Sequence, residues 1–246
     1  MPSTPTRTAI VTGASRGIGR AIAERLAHDG LQVIVNYTAS EAEASRLVAS
    51  IKARDGRALA VQGDVSKPAD VTRLFDVADR EFGGVDVLVN NAGIMSMVRI
   101  ADTDDATFDR LVAVNLKGTF NGLREAARRL RSGGRIINLS TTLVGTRLET
   151  YGAYAATKAA VEVLTSILAK ELRGRSITVN AIAPGATATE LFLEGKSQEV
   201  IDRIAKMNPF ERLGKPEEIA AAVAFLAGPD GSWVNGQTLR ANGGVI

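Results

Sequence analysis

Residues 7–19 read RTAIVTGASRGIG, a β-branched run that breaks into a glycine-rich turn, and the next residues, RAIAERLA, have the pattern of a helix. The order of these pieces carries more than the glycines do. A strand that passes into a helix through Gly13, Gly17 and Gly19 brings bare backbone and the positive end of a helix dipole to one point, which is the local geometry that receives a pyrophosphate. A glycine pattern alone is weak evidence, because such turns also serve packing; its place between the first strand and the first helix makes dinucleotide binding the expectation.

Working outward, short apolar runs recur at 31–36, 57–65, 85–93, 134–140, 176–185 and 237–244, and helical patterns lie between them at about 17–29, 41–55, 67–82, 105–131, 152–173 and 216–227. Continuous apolar strands separated by helices of ten or more residues call for right-handed crossovers and a parallel sheet covered on both faces. The expected fold is α/β, a single doubly wound Rossmann domain over residues 1–246 with seven parallel strands. The stretch 186–213, ATATELFLEGKSQEVIDRIAKMNPFERL, breaks the alternation and is expected to be a substrate lid at the carboxyl edge of the sheet.

Bulk properties exclude several function classes. Of the 246 residues, 45% are hydrophobic and 23% charged, an ordinary globular balance. The 30 cations and 27 anions are interspersed, so no footprint for nucleic acid stands out. The densest basic run, residues 124–135, reads as a solvated helix face with Ala126, Ala127 and Leu130 on its buried side. The chain has no cysteine and one histidine, His28, which excludes disulfides, a thiol nucleophile and a multi-histidine zinc centre, so no metal is expected. The first ten residues lack the apolar core of a leader, and no stretch approaches the roughly 18 apolar residues of a membrane span, so a cytoplasmic protein with no membrane partner is expected.

The second strand ends VNYTAS, placing Asn36, Tyr37, Thr38 and Ser40 where a carboxylate would otherwise bind the adenosine ribose of NAD and repel an added phosphate. With Arg16 in the glycine turn as a cation for a 2′-phosphate, the expected cofactor is NADP(H). At the other end of the chemistry, YGAYAATK (151–158) puts Tyr154 and Lys158 one helical turn apart on one face. An ammonium there is expected to lower the phenol from about 10 toward neutrality and make it a proton donor to a carbonyl oxygen.

TGASRGIG at 12–19, NNAG at 90–93, the asparagine of VNLKG at 115, NLSTT at 138–142, YAATK at 154–158 and PGATAT at 184–189 stand together in one chain. In that order and spacing, the sequence resembles the short-chain dehydrogenase/reductase family along essentially its whole length. Within it, the chain is similar to the 3-oxoacyl reductase type and most of all to the tetrahydroxynaphthalene reductase branch, through its VNY strand end and its WVNGQTLRANGG terminus. The resemblance implies strand order 3-2-1-4-5-6-7. It also implies a dinucleotide loop of Gly13, Ser15, Arg16, Gly17, Ile18 and Gly19, with Asn36, Tyr37 and Ser40 at the adenosine end and Asp64 and Val65 at the adenine. Asn91, Ala92 and Gly93 would lie beside the ribose, and Pro184, Gly185, Thr187 and Thr189 would grip the nicotinamide carboxamide. Tyr154 would be the acid, Lys158 its activator and ribose ligand, and Asn115 the holder of a relay water.

The carbonyl-orienting hydroxyl is open among Ser140, Thr141 and Thr142, which stand 14, 13 and 12 residues before the tyrosine; Ser140 is preferred, with Thr142 next. Thr142, Tyr151 and Phe192 are the candidate substrate contacts. The implied activity is NADPH-dependent reduction of a ketone by a homotetramer. The alternatives are an NAD(P)⁺-dependent alcohol or sugar dehydrogenase and a non-catalytic NADPH sensor.

Overall fold

The computed structural model describes residues 6–246; the expectation about a leader touches residues 1–5, which lie outside the described residues. β1 (Thr8–Val11), β2 (Gln32–Tyr37), β3 (Ala58–Gln62), β4 (Val87–Asn90), β5 (Arg135–Leu139), β6 (Thr178–Pro184) and β7 (Thr238–Ala241) form one sheet. All of its pairings are parallel, in the order β3-β2-β1-β4-β5-β6-β7. After β3 the chain crosses back to lay β4 beside β1, and this reversal opens a crevice at the carboxyl ends of β1 and β4.

The covering helices explain why the central strands are apolar on both sides. Along a strand, neighbouring side chains point to opposite faces. Ala9, Val11, Val33, Val35, Val87 and Val89 therefore pack with Ile22 and Leu26 of α1 (Gly17–His28), Leu47 of α2 (Glu41–Lys52) and Val223 of α10 (Pro216–Ala227). Their neighbours Ile10, Ile34, Leu88 and Ile136 join the second layer, with Leu74 and Phe75 of α3 (Pro68–Phe82), Leu123 of α5 (Gly118–Arg129) and Leu168 of α7 (Gly152–Glu171).

Two sequence expectations change. The helical pattern at 105–131 is α4 (Asp105–Leu111), a π-helical turn over Val112–Lys117 and then α5. Widening of the helix at this turn carries Asn115 into the interior, where it is fully buried; such turns accompany functional sites. The strands also stop short of their apolar runs. Residues 12–13 and 91–93 leave the ladder, and Gly13, Asn91, Ala92 and Gly93 line the crevice instead. The 186–213 segment carries α8 (Glu190–Leu193) and α9 (Gln198–Ala205). Its two ends are stitched together by amide donation from Ala188 to the Gly214 carbonyl and from Gly214 to the Ala186 carbonyl, 2.9 Å each.

Close approach at the glycine turn can be tested by one methyl group. Elsewhere in a helix Gly→Ala gains up to about 1 kcal/mol. At Gly19 a Cβ would lie 2.4 Å from both the Gly13 carbonyl oxygen and Asn91 Nδ2, and the first of these is backbone that cannot yield. Gly19→Ala is expected to destabilise by about 1–3 kcal/mol, read as a lower denaturation midpoint in urea; a raised midpoint would remove the close approach.

Candidate active site

A cleft of about 700 Å³ runs across the carboxyl ends of the strands, from the glycine turn to the 186–213 segment. At its dinucleotide end, Gly13 and Gly17 take φ of +61° and +55°, left-handed values that favour glycine. Arg16 sits at the N-cap of α1 without capping it by its side chain, so the opening amides of α1 are left to face the cleft. Tyr37 and Ser40 line the adenosine end, with Asp64 and Val65 beyond them. The Asp64 carboxylate is engaged by the Ser66 amide at 2.9 Å and the Ser66 hydroxyl at 2.7 Å.

Asn36, expected at the cofactor, is placed differently. It is 1% exposed, accepts from the Gly13 amide at 3.2 Å and donates to the Gly63 carbonyl at 3.0 Å. It braces the glycine turn from beneath, because even-numbered residues at this strand end point into the sheet's second layer while Tyr37 faces the cleft. Asn91 is a second brace, donating through Nδ2 to the carbonyls of Thr12 and Gly13 at 2.8 and 3.0 Å. Thr12, which sequence reasoning passed over, joins the two strand ends: its hydroxyl accepts the amides of Asn91 and Ala92, each at 3.0 Å. Its place one residue before the first glycine was the available signal.

At the other end of the cleft, α7 carries Tyr154 and Lys158 beneath the tip of β5. Lys158 is 4% exposed and its Nζ donates to the Leu139 carbonyl at 2.7 Å. Burial lowers its pKa to about 8. Tyr154 is pushed up to about 12, first by burial and then by the neighbouring Tyr151 phenol, with the Thr141 hydroxyl acting in the opposite direction. The expected lowering toward neutrality is therefore not what this arrangement produces. The ammonium is turned to a backbone carbonyl, and desolvation dominates at the phenol.

The three hydroxyls at 140–142 separate cleanly. Ser140 donates to Glu162 Oε1 at 2.6 Å and Thr142 to the Ala183 carbonyl at 3.3 Å. Thr141 is left as the hydroxyl that faces the Tyr154 phenol. Ser140, which also lines the cleft, is thus held by a carboxylate that the sequence reading did not connect to it. Counting on along the helix face from 154 and 158 to 162 would have found Glu162.

Asn115 is hydrogen-bonded through both ends of its side-chain amide. Its Oδ1 accepts the Ile94 amide and its Nδ2 donates to the Ile94 carbonyl, both at 2.9 Å, and Nδ2 also meets Thr157 Oγ1 at 3.2 Å. Through these bonds the side chain clamps the strand-end segment. A Cβ on Gly93 would stand 3.3 Å from both Asn115 Oδ1 and Lys158 Nζ, so these three converge.

The roof is formed by Pro184, Gly185, Thr187 and Thr189, which all line the cleft. Thr189 caps α8, and its methyl lies 3.5 Å from where a Cβ of Gly17 would be, so roof and glycine turn nearly touch. Arg16 crosses the mouth to Glu190 at 3.5 Å, an exposed pair of small energetic weight. Of the candidate substrate contacts, Phe192 lines the cleft, and Tyr151 forms a wall with its hydroxyl 3.3 Å from Met97 Sδ. Met95, Leu191 and Met207 add apolar surface, whereas Trp233 is 96% exposed and takes no part.

The dinucleotide turn, the Tyr154–Lys158 pair and the roof thus share one cleft. The enoyl-(acyl carrier protein) reductase family description matches residues 13–246. A short-chain type dehydrogenase/reductase of Picea abies is 48% identical over 98% of this chain and 92% of its own. The chain belongs to the short-chain dehydrogenase/reductase family. Members similar to it include the chloroplastic NADPH-dependent aldehyde reductase 2 of Arabidopsis thaliana, 46% identical over 98% of this chain and 94% of that protein. A probable tetrahydroxynaphthalene reductase of Zymoseptoria tritici is 37% identical over 96% and 93%. Among solved structures, the angucycline C-6 ketoreductase LanV with bound NADP superposes with a TM-score of 0.92 at 38% identity, covering 98% of this chain and 96% of that one. No helix among the described residues is long and apolar enough to cross a membrane.

Burial of Lys158 makes stability depend on pH in a defined direction. Below about pH 8 the lysine is protonated both folded and unfolded; between about 8 and 10.5 only the unfolded chain still holds the proton, so stability rises through that window. Relative to Lys158→Met, wild type is expected to gain about 2 kcal/mol between about pH 7 and pH 9.5, measured by urea unfolding.

Proposed function

We propose that this protein is an NADPH-dependent reductase of ketones and aldehydes with apolar substituents. The observation that carries it is a phenol kept protonated at neutral pH, beside a buried ammonium, in the same cleft as a pyrophosphate cradle. Support for NADPH comes from the free amides at the start of α1, the left-handed Gly13 and Gly17, Arg16 at the mouth, and a β2 end whose cleft-facing residues, Tyr37 to Ser40, include no carboxylate. The printed names of the Arabidopsis relative and of LanV point the same way.

When bound, NADPH supplies the hydride. The chain's own residues do the rest. Tyr154 donates its phenolic proton to the carbonyl oxygen, and Thr141, whose hydroxyl meets the Tyr154 phenol, orients that oxygen. Lys158 uses one of its three N–H donors on Leu139 and has two for the nicotinamide ribose. Asn115 and Gly93 keep the floor against the ammonium. Thr187 and Thr189, with Pro184 and Gly185, close over the nicotinamide, and the 186–213 segment acts as the lid over the substrate.

The NADPH-dependent reductase name of the Arabidopsis relative favours the reduction direction over alcohol oxidation. An intact acid beside its lysine likewise favours turnover over a purely sensing role. The homotetramer expected from the sequence is supported by apolar side chains left in solvent on α4, α5 and α7 (Phe108, Phe120, Val163, Ile167) and near β7 (Phe225, Trp233, Leu239). A cytoplasmic setting remains part of this proposal.

Tyr154→Phe is expected to lower kcat with an aryl ketone by at least about a hundredfold while NADPH still binds; unchanged turnover would remove the acid. Thr141→Val is expected to cost about tenfold or more and Ser140→Ala at most about threefold, the reverse order restoring Ser140 as the orienting group. Light scattering after gel filtration is expected to give four chains, and a single chain would overturn the assembly.

A further inference from the structure

Positive charge collects at the amino edge of the sheet, at the opposite end of the strands from the cleft. Side chains alternate along a strand, so Arg7 shares a face with Ala9 and Val11, and Arg135 shares that face with Ile137 and Leu139. Thr178 lies on it too, with Ile182, and Arg135 and Thr178 are register partners on β5 and β6. Neighbouring strands run about 4.8 Å apart, so these two side chains stand next to each other. The C-terminal end of α10 comes down over the same edge, where Arg7 Nη1 donates to the Ala227 carbonyl at 2.8 Å.

Both guanidiniums are short of partners. Arg135 is 8% exposed, and its Nη1 donates to the carbonyls of Gly133 and Gly134 at 2.5 and 2.9 Å. Neither Arg7 nor Arg135 forms an ion pair among the described residues. Asp86, the carboxylate at this edge, is engaged by the Thr8 amide at 2.8 Å and by Arg131 Nη1 at 3.1 Å. Five buried side-chain polar atoms among the described residues have no hydrogen-bond partner, and three of them are Arg7 Nη2, Arg135 Nε and Thr178 Oγ1. Burial lowers the Arg135 pKa and the charge of Arg7 lowers it further, so the two cations stand close enough to repel.

We propose that Arg7, Arg135 and Thr178 form a binding site for a small inorganic anion, a halide or a compact oxyanion, at the amino edge of the sheet. All three unpartnered atoms can donate a hydrogen bond, and two of them carry positive charge. Water would satisfy the donors and leave the charge, whereas an anion answers both. A buried guanidinium without a counter-charge is costly, and one anion between the two offsets their desolvation and their mutual repulsion together. The ion would tie β1, β5 and β6 to one point beneath the end of α10. It lies away from the reacting groups, so it acts on stability and leaves the chemistry of the cleft alone.

The test reads the thermal unfolding midpoint of the full chain in saturating NADP⁺, which keeps added anions out of the glycine turn. At fixed pH and ionic strength, potassium gluconate, whose anion is too bulky for the site, is exchanged for potassium chloride, bromide or sulfate. At least one of the three is expected to raise the midpoint by about 3–5 °C for each tenfold rise above its dissociation constant. A response to chloride and bromide identifies a halide site, and a response to sulfate alone an oxyanion site. Arg7→Gln and Thr178→Val, two mild changes outside the cleft, are each expected to cut the shift by half or more. Crystals soaked in bromide are expected to show an anomalous peak beside Arg135 if the halides are the ions that respond. Equal midpoints in all four salts, or a shift that either variant keeps in full, would overturn the site.

Discussion

The hydrogen bond from the Lys158 ammonium to the Leu139 carbonyl, 2.7 Å long and closed off from water, ties the chemistry to the sheet. A buried ammonium is costly unless it is hydrogen-bonded, and the last carbonyl of β5 meets that need. In doing so it fixes α7 over the tip of β5 at one register. Tyr154 then stands against Thr141, and Glu162 stands against Ser140. The same burial lowers the lysine to about 8 and raises the phenol to about 12, so one packing event sets both protonation states.

At the other end of the cleft the governing constraint is the absence of side chains. Gly19 lets the first turn of α1 close on Gly13, and Gly13 lets the turn close on Ala92, where a Cβ would lie 2.9 Å from the Ala92 Cα. Thr12, Asn36 and Asn91 lock that approach with side-chain hydrogen bonds to backbone. Through these bonds they decide where the exposed amides point. A polar chain deeper in the sheet does similar work: Asn90 Nδ2 donates to Asn138 Oδ1 at 2.9 Å, and Asn138 Nδ2 donates to Thr165 Oγ1 at 2.8 Å. It joins β4 and β5 to α7 below the reactive pair.

Much of this was legible from residue order. The alternation of apolar runs with helical ones fixes the parallel sheet, because an all-buried strand needs cover on both faces and a helix is the shortest connection that supplies it. The glycine turn and the tyrosine–lysine pair are local patterns, so their spacing survives reading in one dimension. Helix 216–227 was read to its end residues because proline opens it and glycine follows it. The π-turn at 112–117 was not legible, since its cause is the pull of Ile94 and Thr157 on Asn115 from elsewhere in the chain.

By itself, the sequence determined the layer architecture, the glycine turn and the placing of the tyrosine–lysine pair on one helix face, all of which follow from periodicity, glycine placement and i to i+4 spacing. Only the tertiary structure decided which of three adjacent hydroxyls faces the phenol, that Asn36 braces and does not line, and which way the phenol's pKa moves. Each of those turns on a partner far away along the chain: Glu162 for Ser140, Gly63 for Asn36, and burial by several elements at once for Tyr154. Hydrogen bonding and desolvation act through space, and no local pattern of residues encodes what folding will bring alongside.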